Sequence, residues 1–477
     1  MTFSEVRLWG ASIGLIAWDP ALGYAAFEYS PTFLDTGIEL SPVMMPLSRA
    51  AFSFPMLNRD TYRGLPGMLA DSLPDKFGNS LIDQWLAESG RAPDAFDPVQ
   101  RLMYVGRRGM GALEFYPVIE QEEPEQISLN IEELVALTSR VLALREAEHF
   151  QLDTVGAPAN VEGLGKILAV GTSAGGARAK AIIAWNEVTG DVRSGQIDAG
   201  PGYTYWLLKF DGVGNNRDKE LADPKGYGRI EYAYHLMAVA AGIDMSPCRL
   251  LEENGRAHFM TRRFDRTEDG QKLHMQTLCA LGHYDFNMPG ATSYEQAFLL
   301  CDQLRLGMAA KEQLFLRMVF NVLAYNRDDH TKQIAFLMDK AGVWRLSPAY
   351  DVTYAFNPQG AYTSSHQMSV NSVATTPPSI ATGSPAKKIG PLIRAAPYNA
   401  AIAITGHSRN GLRERSISVI VSSPSTLNPD YSERNACNTS TRDARDAGIS
   451  EAIAAAPTNT PAAPSSAVSP GICMLPK

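Results

Sequence analysis

All 18 phenylalanines and 6 tryptophans of this chain occur before Asn371. From there to Lys477 the only aromatics are Tyr398 and Tyr431, and Ala, Ser, Thr, Pro and Asn dominate, as in PTNTPAAPSSAVSPG. Such a stretch cannot bury enough apolar surface to offset an ordering cost of roughly 1–2 kcal/mol per residue. Any packed core must therefore come from residues 1–371, and the sequence predicts a tail (372–477) that is disordered or at most weakly helical. The 477 residues are 45% hydrophobic, which suffices for two or three cores of ordinary size.

Charge and cysteine usage exclude several classes. A net charge of -8 gives no general nucleic-acid footprint, although a local basic patch is compatible with it. MTFSEVRLWG carries Glu5 and no apolar h-region, so it does not read as a signal peptide. No uninterrupted apolar run is long enough to cross a bilayer. The five cysteines form no C-x-x-C pair, which points to a reduced, cytosolic protein without zinc or disulfide staples.

Residues 1–117 are rich in strand and turn signals. Val6 and Leu8, then Ile13, Leu15 and Ala17, alternate with period two. In GLPGMLADSLPDKFGNSLIDQWL (Gly64–Leu86) a helix is predicted to start within Asp75–Ser80. The acidic EQEEPEQ (Glu120–Gln126) reads as a solvated linker, and Asn130 with Glu133 forms a capping box for a helix, so 118–152 is linker plus helix. From 153 to 371 strands and helices alternate. Tyr203–Phe210 reads as a strand, and Ile230–Ile243 and Glu312–Asn326 as helices.

Four stretches carry candidate chemistry. GTSAGGARAKA (Gly171–Ala181) could turn backbone N–H groups toward an anion, with Arg178 and Lys180 adding charge; a plain basic hairpin tip is the equal alternative. Lys209 lies in a strand so apolar that its ammonium needs a partner, a phosphate or Glu231, unless it snorkels to water. AYNRDDHTKQIAFLMD (Ala324–Asp339) concentrates Asp328, Asp329, His330, Lys332 and Gln333, and RLSPAYDV places Asp351 after a short strand. Two acids on separate loops suit phosphoryl transfer, one orienting a hydroxyl and the other holding Mg²⁺, with a lysine offsetting phosphoryl charge. Zinc on Asp328, His330 and Asp351 ranks low for want of a firm ligand spacing. A charged helix end would account for the island alone. Gly-rich loop, strand Lys, helix Glu, loop Asp and second Asp nevertheless follow the part order of a protein kinase.

From about Val6 to Asn371 the chain resembles the HipA family, the serine/threonine-kinase toxins of bacterial HipAB toxin–antitoxin modules. The resemblance rests on GLPGMLADSLPDKFG, GGARAKA, WLLKF, EYAYHLMAVAAGIDM, HFMTRRFDR, HMQTLCAL, NRDDHTK and LSPAYDV, in that order. It implies an α+β protein: a β-rich N-terminal subdomain, then a two-lobed kinase-like domain with a helical C-lobe. It implies ATP and Mg²⁺ as cofactors. Lys209 is similar to the ATP-phosphate lysine and Glu231 to its helix partner. Met260–Arg266, with Arg263 and Phe264, resembles the adenine hinge, and Ser173, Gly175 and Gly176 the Gly-rich loop that autophosphorylates and is ejected. Asp328 resembles the catalytic aspartate with Lys332 beside it, and Asp351 the magnesium aspartate. Implied partners are a protein substrate such as an aminoacyl-tRNA synthetase and a HipB-like antitoxin, which brings DNA in indirectly. The family is also linked to persistence.

Two departures bear on this reading. Gln333 stands where the family has Asn at the metal, and its extra methylene carries the amide oxygen about 1.5 Å too far. Mg²⁺ demands near-ideal octahedral geometry, so metal affinity or activity is expected to fall roughly 10–100-fold. The tail is the second departure, and a frame change in the coding DNA near Asn371 would produce it. One codon choice for Asn-Ser-Val-Ala-Thr-Thr, read from the last base of the first codon, spells Gln-Arg-Gly-Asp-Asp, a polar continuation like the family's. Both departures also fit a catalytically impaired relative that binds a HipB-like protein as co-repressor. A kinase of lipid or small-molecule hydroxyls is a further alternative.

Overall fold

The computed structural model describes residues 1–119, 129–136, 138–139, 171, 178–196, 198–213, 226–360, 362–370, 399–409 and 412–422. Strands β1 (Thr2–Leu8), β2 (Ala11–Asp19), β3 (Tyr24–Tyr29), β4 (Phe52–Ser53) and β5 (Leu113–Tyr116) form an antiparallel sheet in the order β4-β3-β2-β1-β5. A bulge between Val6 and Arg7 of β1 shifts the pairing with β2. It corrects the alternation read from sequence: Ile13 and Ile16 are buried while Leu15 is 48% exposed. Gly14 permits this close pairing, because a Cβ there would come within 2.2 Å of the Glu28 carbonyl oxygen.

Helix α1 (Lys76–Glu88) starts where its sequence predicts, with the Asp75 carboxylate accepting from the Gly78 N–H at 2.6 Å. Helix α2 (Pro98–Val105) opens on a capping box made by Asp97 and Gln100. The Asn130 side chain accepts from the Glu132 and Glu133 N–H groups, as a helix start requires.

A second antiparallel sheet runs β7-β6-β8-β10-β9, from β6 (Lys180–Trp185), β7 (Val192–Ser194), β8 (Thr204–Lys209), β9 (Cys248–Glu253) and β10 (Arg256–Arg262). Helix α3 (Tyr227–Ala240) packs on β9 and β10. Beyond it come β11 (His274–Thr277), α4 (Leu278–Gly282), β12 (Thr292–Ser293), α5 (Tyr294–Gln303), α6 (Met308–Leu323), β13 (Ala335–Met338), β14 (Trp344–Leu346) and β15 (Met368–Ser369). Strands β11, β13 and β14 form a small sheet, and β12 pairs in parallel with β15.

The N-terminal segment closes no core of its own. Val6, Phe27 and Tyr62 share a core with Leu278, Tyr294, Leu314 and Phe336 from the helical part. Phe77, Leu81 and Leu86 of α1 share another with Ile183, Trp206, Leu208 and Met260 of the second sheet. Each fully buried side chain of this size contributes roughly 1.5–3 kcal/mol. Residues 1–117 thus act as a brace, packed against both the second sheet and the helical part.

The described residues of the tail depart from expectation. Strands β16 (Asn399–Arg409) and β17 (Leu412–Ser422) pair as an antiparallel hairpin, with Ile402 opposite Val419 and Ile404 opposite Ile417. Overall composition hid a local period-two run of β-branched residues flanking Asn410-Gly411, a strong hairpin signal. Residues 371–398, where a frame change would begin, lie outside the described residues.

Candidate active site

Lys209 ends β8, half-buried, and its ammonium does not snorkel. It donates to Glu231 Oε1 at 2.5 Å, and it also donates to Asp351 Oδ1. Glu231 comes from the second turn of α3 and is 2% exposed. Burial pushes the Lys209 ammonium down, but the two carboxylates outweigh it and hold its pKa above the ordinary lysine value. Burial likewise opposes the charge on Asp351, yet Lys209 holds that carboxyl well below its usual range, helped by a hydrogen bond from Gln333. Glu231 goes the other way: desolvation raises its pKa, with Lys209 pulling back and Asp351 adding to the rise. One ammonium serves two carboxylates, and Asp351 has the larger share.

The polar island is a loop, not a helix end. Helix α6 stops at Leu323, Tyr325 takes a left-handed φ of 55°, and Asn326 bridges to Ala355. The loop then makes a turn of 3₁₀ helix over Thr331–Gln333 and enters β13. Its two neighbouring acids have different surroundings. Asp329 is buried and accepts from the Tyr294 hydroxyl at 2.8 Å and the Gln367 N–H at 2.8 Å, with His366 Nδ1 at 3.1 Å. Asp328 keeps 31% of its side chain exposed, and His330 Nε2 lies 3.9 Å from it. Lys332 places its ammonium 4.9 Å from the centre of the Phe286 ring, and its carbonyl accepts from the Tyr350 hydroxyl at 2.6 Å.

Asp351 follows β14 and the Ser347–Pro348 turn with φ 55°, a conformation that disfavours a residue with a Cβ. Gln333 Nε2 donates to Asp351 Oδ2 at 2.9 Å, so the longer amide does reach the carboxylate. Asp351 and Gln333 together offer hard oxygen donors of the kind Mg²⁺ takes. No group of three His, Cys, Asp or Glu suited to a metal occurs among the described residues, which overturns the Asp328–His330–Asp351 zinc alternative.

Other sequence-read residues meet partners the string did not show, or fall outside the described residues. Arg263, in the stretch that resembles the adenine hinge, turns its side chain inward. Its guanidinium is buried, forks onto Asp265 at 2.9 and 2.7 Å, and donates to the Gly195 carbonyl at 3.1 Å. Phe264 beside it packs against Tyr350, ring centres 5.2 Å apart. Lys180 is no free charge at a loop end, because it is buried and paired with Asp75 at 2.6 Å. Arg178 lies over the Tyr227 ring at 3.7 Å. Ser173, Gly175 and Gly176 lie outside the described residues.

Sequence reasoning missed the supports. Asp71 accepts from both the N–H and the hydroxyl of Thr277, and Asp75 reaches Lys180. The string LADSLPD held both acids, but nothing in it tells which strand each would meet.

The chain matches the HipA N-terminal domain family over residues 4–116 and the HipA-like C-terminal domain family over residues 172–405. It belongs to the HipA family. The C-terminal match runs past Asn371, where the resemblance read from sequence stops. A Sinorhizobium fredii (strain NBRC 101917 / NGR234) protein named "Putative kinase Y4mE" is 28% identical over 130 residues, 24% of this HipA-family chain and 30% of that protein. A solved Shewanella oneidensis MR-1 complex of the toxin–antitoxin proteins HipA and HipB with operator DNA is similar at 19% identity, TM-score 0.49, covering 74% of this chain and 76% of that chain. No helix among the described residues is long and apolar enough to cross a membrane.

Proposed function

We propose that this HipA-family protein is an ATP-dependent kinase of protein serine or threonine hydroxyls, acting as the toxin of a HipAB-like pair. The observation that carries the reading is the single Lys209 ammonium joined to both Glu231 and Asp351. An ammonium has three N–H donors, so Lys209 keeps one for a phosphate while Glu231 fixes its direction. Asp351 and Gln333 would hold Mg²⁺, which supplies charge neutralisation for the phosphates when bound. Asp328, the more exposed acid of the loop, accepts the proton of the substrate hydroxyl, and Lys332 offsets charge on the transferred phosphoryl group. The phosphate acceptors are Ser173 in the chain itself and a translation-related protein such as an aminoacyl-tRNA synthetase. The binding partner is a HipB-like antitoxin, through which the pair meets DNA in the cytoplasm.

Incubation with ATP and Mg²⁺ followed by phosphosite mapping tests this. Phosphate on Ser173 that is lost in Asp328→Ala is the expected result. Gln333 favours the second reading, an impaired relative that serves as co-repressor. That reading wins if no phosphate appears even after Gln333→Asn while a HipB-like protein still binds.

A further inference from the structure

The segment HYDFN (His283–Asn287) follows α4, and its residues face two ways. His283 ends the helix with a left-handed φ of 53°, and its Nε2 accepts from the Gly67 N–H at 3.1 Å. The approach is close: a Cβ on Gly67 would come within 2.5 Å of both the His283 ring and the Ala280 carbonyl oxygen. Asn58 caps one helical turn, Arg59–Tyr62, its Oδ1 accepting from the Asp60 N–H at 2.9 Å. That leaves its Nδ2 to donate to Asp285 Oδ2 at 2.7 Å. Thr61, in the same turn and 6% exposed, donates its hydroxyl hydrogen to Asp285 Oδ1 and accepts from Asn287 Nδ2 at 2.9 Å. His283, Asp285 and Asn287 are thus all held by the N-terminal segment.

The residues between them turn to the loop that carries Asp328. The Tyr284 carbonyl accepts from the Thr331 hydroxyl at 2.7 Å. The Phe286 ring packs on His330, centres 5.3 Å apart, and the Lys332 ammonium lies 4.9 Å from the same ring centre, within cation–π range. His330 in turn has its Nε2 3.9 Å from Asp328. A ring face attracts a cation, so where the ring sits decides where the ammonium rests. Hydrogen bonds to the neighbouring Asp285 carboxylate fix that place, and bonds to an ionised acceptor are the stronger kind.

We propose that His283–Asn287 is a strap through which the N-terminal segment sets the geometry around Asp328. Thr61, Asp285 and Phe286 are positioning residues; they act through His330 and Lys332 and touch no substrate. The catalytic part of this inference rests on Asp328 being the carboxylate that orients the hydroxyl.

Thr61→Val keeps the side chain's shape and loses both of its bonds, leaving the Asp285 carboxylate short of a donor. In the full chain, amide exchange at 328–333 should then quicken roughly 10-fold or more while β8 keeps its rate. The kcat for ATP turnover, counted per nucleotide-binding site, should fall roughly 10–100-fold. The KM for ATP should hold, because Lys209 and Glu231 are untouched. Phe286→Leu should lower kcat in the same way, and Phe286→Tyr, which keeps the ring, and Thr61→Ser, which keeps the hydroxyl, should restore most of the loss. Unchanged exchange in Thr61→Val, or a rise in KM matching the fall in kcat, overturns the strap. A loss as large in Phe286→Tyr as in Phe286→Leu, or none in either, overturns the role of the ring. Should Thr61→Val not fold, Asn58→Ala removes the other donor to Asp285 from an exposed position and carries the same expectations. Absence of turnover in the unmodified protein refutes the kinase reading, while the exchange rates still decide the strap.

Discussion

Neutralising Asp75 should destabilise the protein out of proportion to its single charge. Its carboxylate lies 2.6 Å from Lys180 Nζ, with side-chain exposures of 6% and 2%. Removing one member of so buried a pair strands the other, at a cost of about 3–5 kcal/mol. Domains of ordinary stability have about 5–15 kcal/mol in total, so the loss is a large fraction. Asp75→Asn separates charge from capping, because the amide oxygen still accepts from the Gly78 N–H at the start of α1. Asp75→Ala loses both and should cost about 1 kcal/mol more. Lys180→Met should cost as much as Asp75→Asn. The double variant Asp75→Asn/Lys180→Met removes both charges while keeping the cap and should recover most of the loss. Urea unfolding at neutral pH reads all four, and the cycle gives the coupling directly. Losses below about 1 kcal/mol in both single variants, or a double variant no better than their sum, would refute a dry ion pair there.

Two buried histidines should weaken the fold in acid. His274 is fully buried and is pushed down to about 3, and burial takes His283 down to about 4. The unfolded chain binds these protons below pH about 6.5 and the folded chain does not. Stability therefore falls by roughly 1.4 kcal/mol per pH unit per histidine as pH drops from there toward the folded values. Unfolding followed between pH 7 and 4.5 checks this, and a slope unaltered by His274→Gln would contradict it. For Gln333→Asn, the Mg²⁺ concentration giving half-maximal ATP turnover should drop roughly 10-fold. An unchanged or higher value would show that the longer amide already suits the metal.

The legible parts of the sequence were those where one residue faced a chemical necessity. A lysine inside YTYWLLKF called for a phosphate, a carboxylate or a route to water, and Glu231, the carboxylate named from sequence, meets it. An aspartate before a helical run had to cap it, and Asp75 did. Partner choice across distant strands was less legible. Nothing local distinguishes Asp328 from Asp329; the difference lies in Tyr294, His366 and Gln367, brought near only by folding. The inward turn of Arg263 was not legible either, because a string cannot say which way Asp265 would draw the guanidinium. Composition misjudged Asn399–Ser422 because an average over the tail diluted two strand-forming runs.

The core shared by Val6, Phe27, Leu278 and Phe336 has a consequence for how the chain is made. On the ribosome the first sheet emerges early, but the residues that cover it come about 160 positions later, some ten to thirty seconds at ordinary elongation rates. During that interval one apolar face of the sheet stays open to water or to a chaperone. A chain released before β13 would leave it open for good. The earliest part synthesised is among the last to be sealed, and premature termination should yield aggregation rather than a half-active fragment.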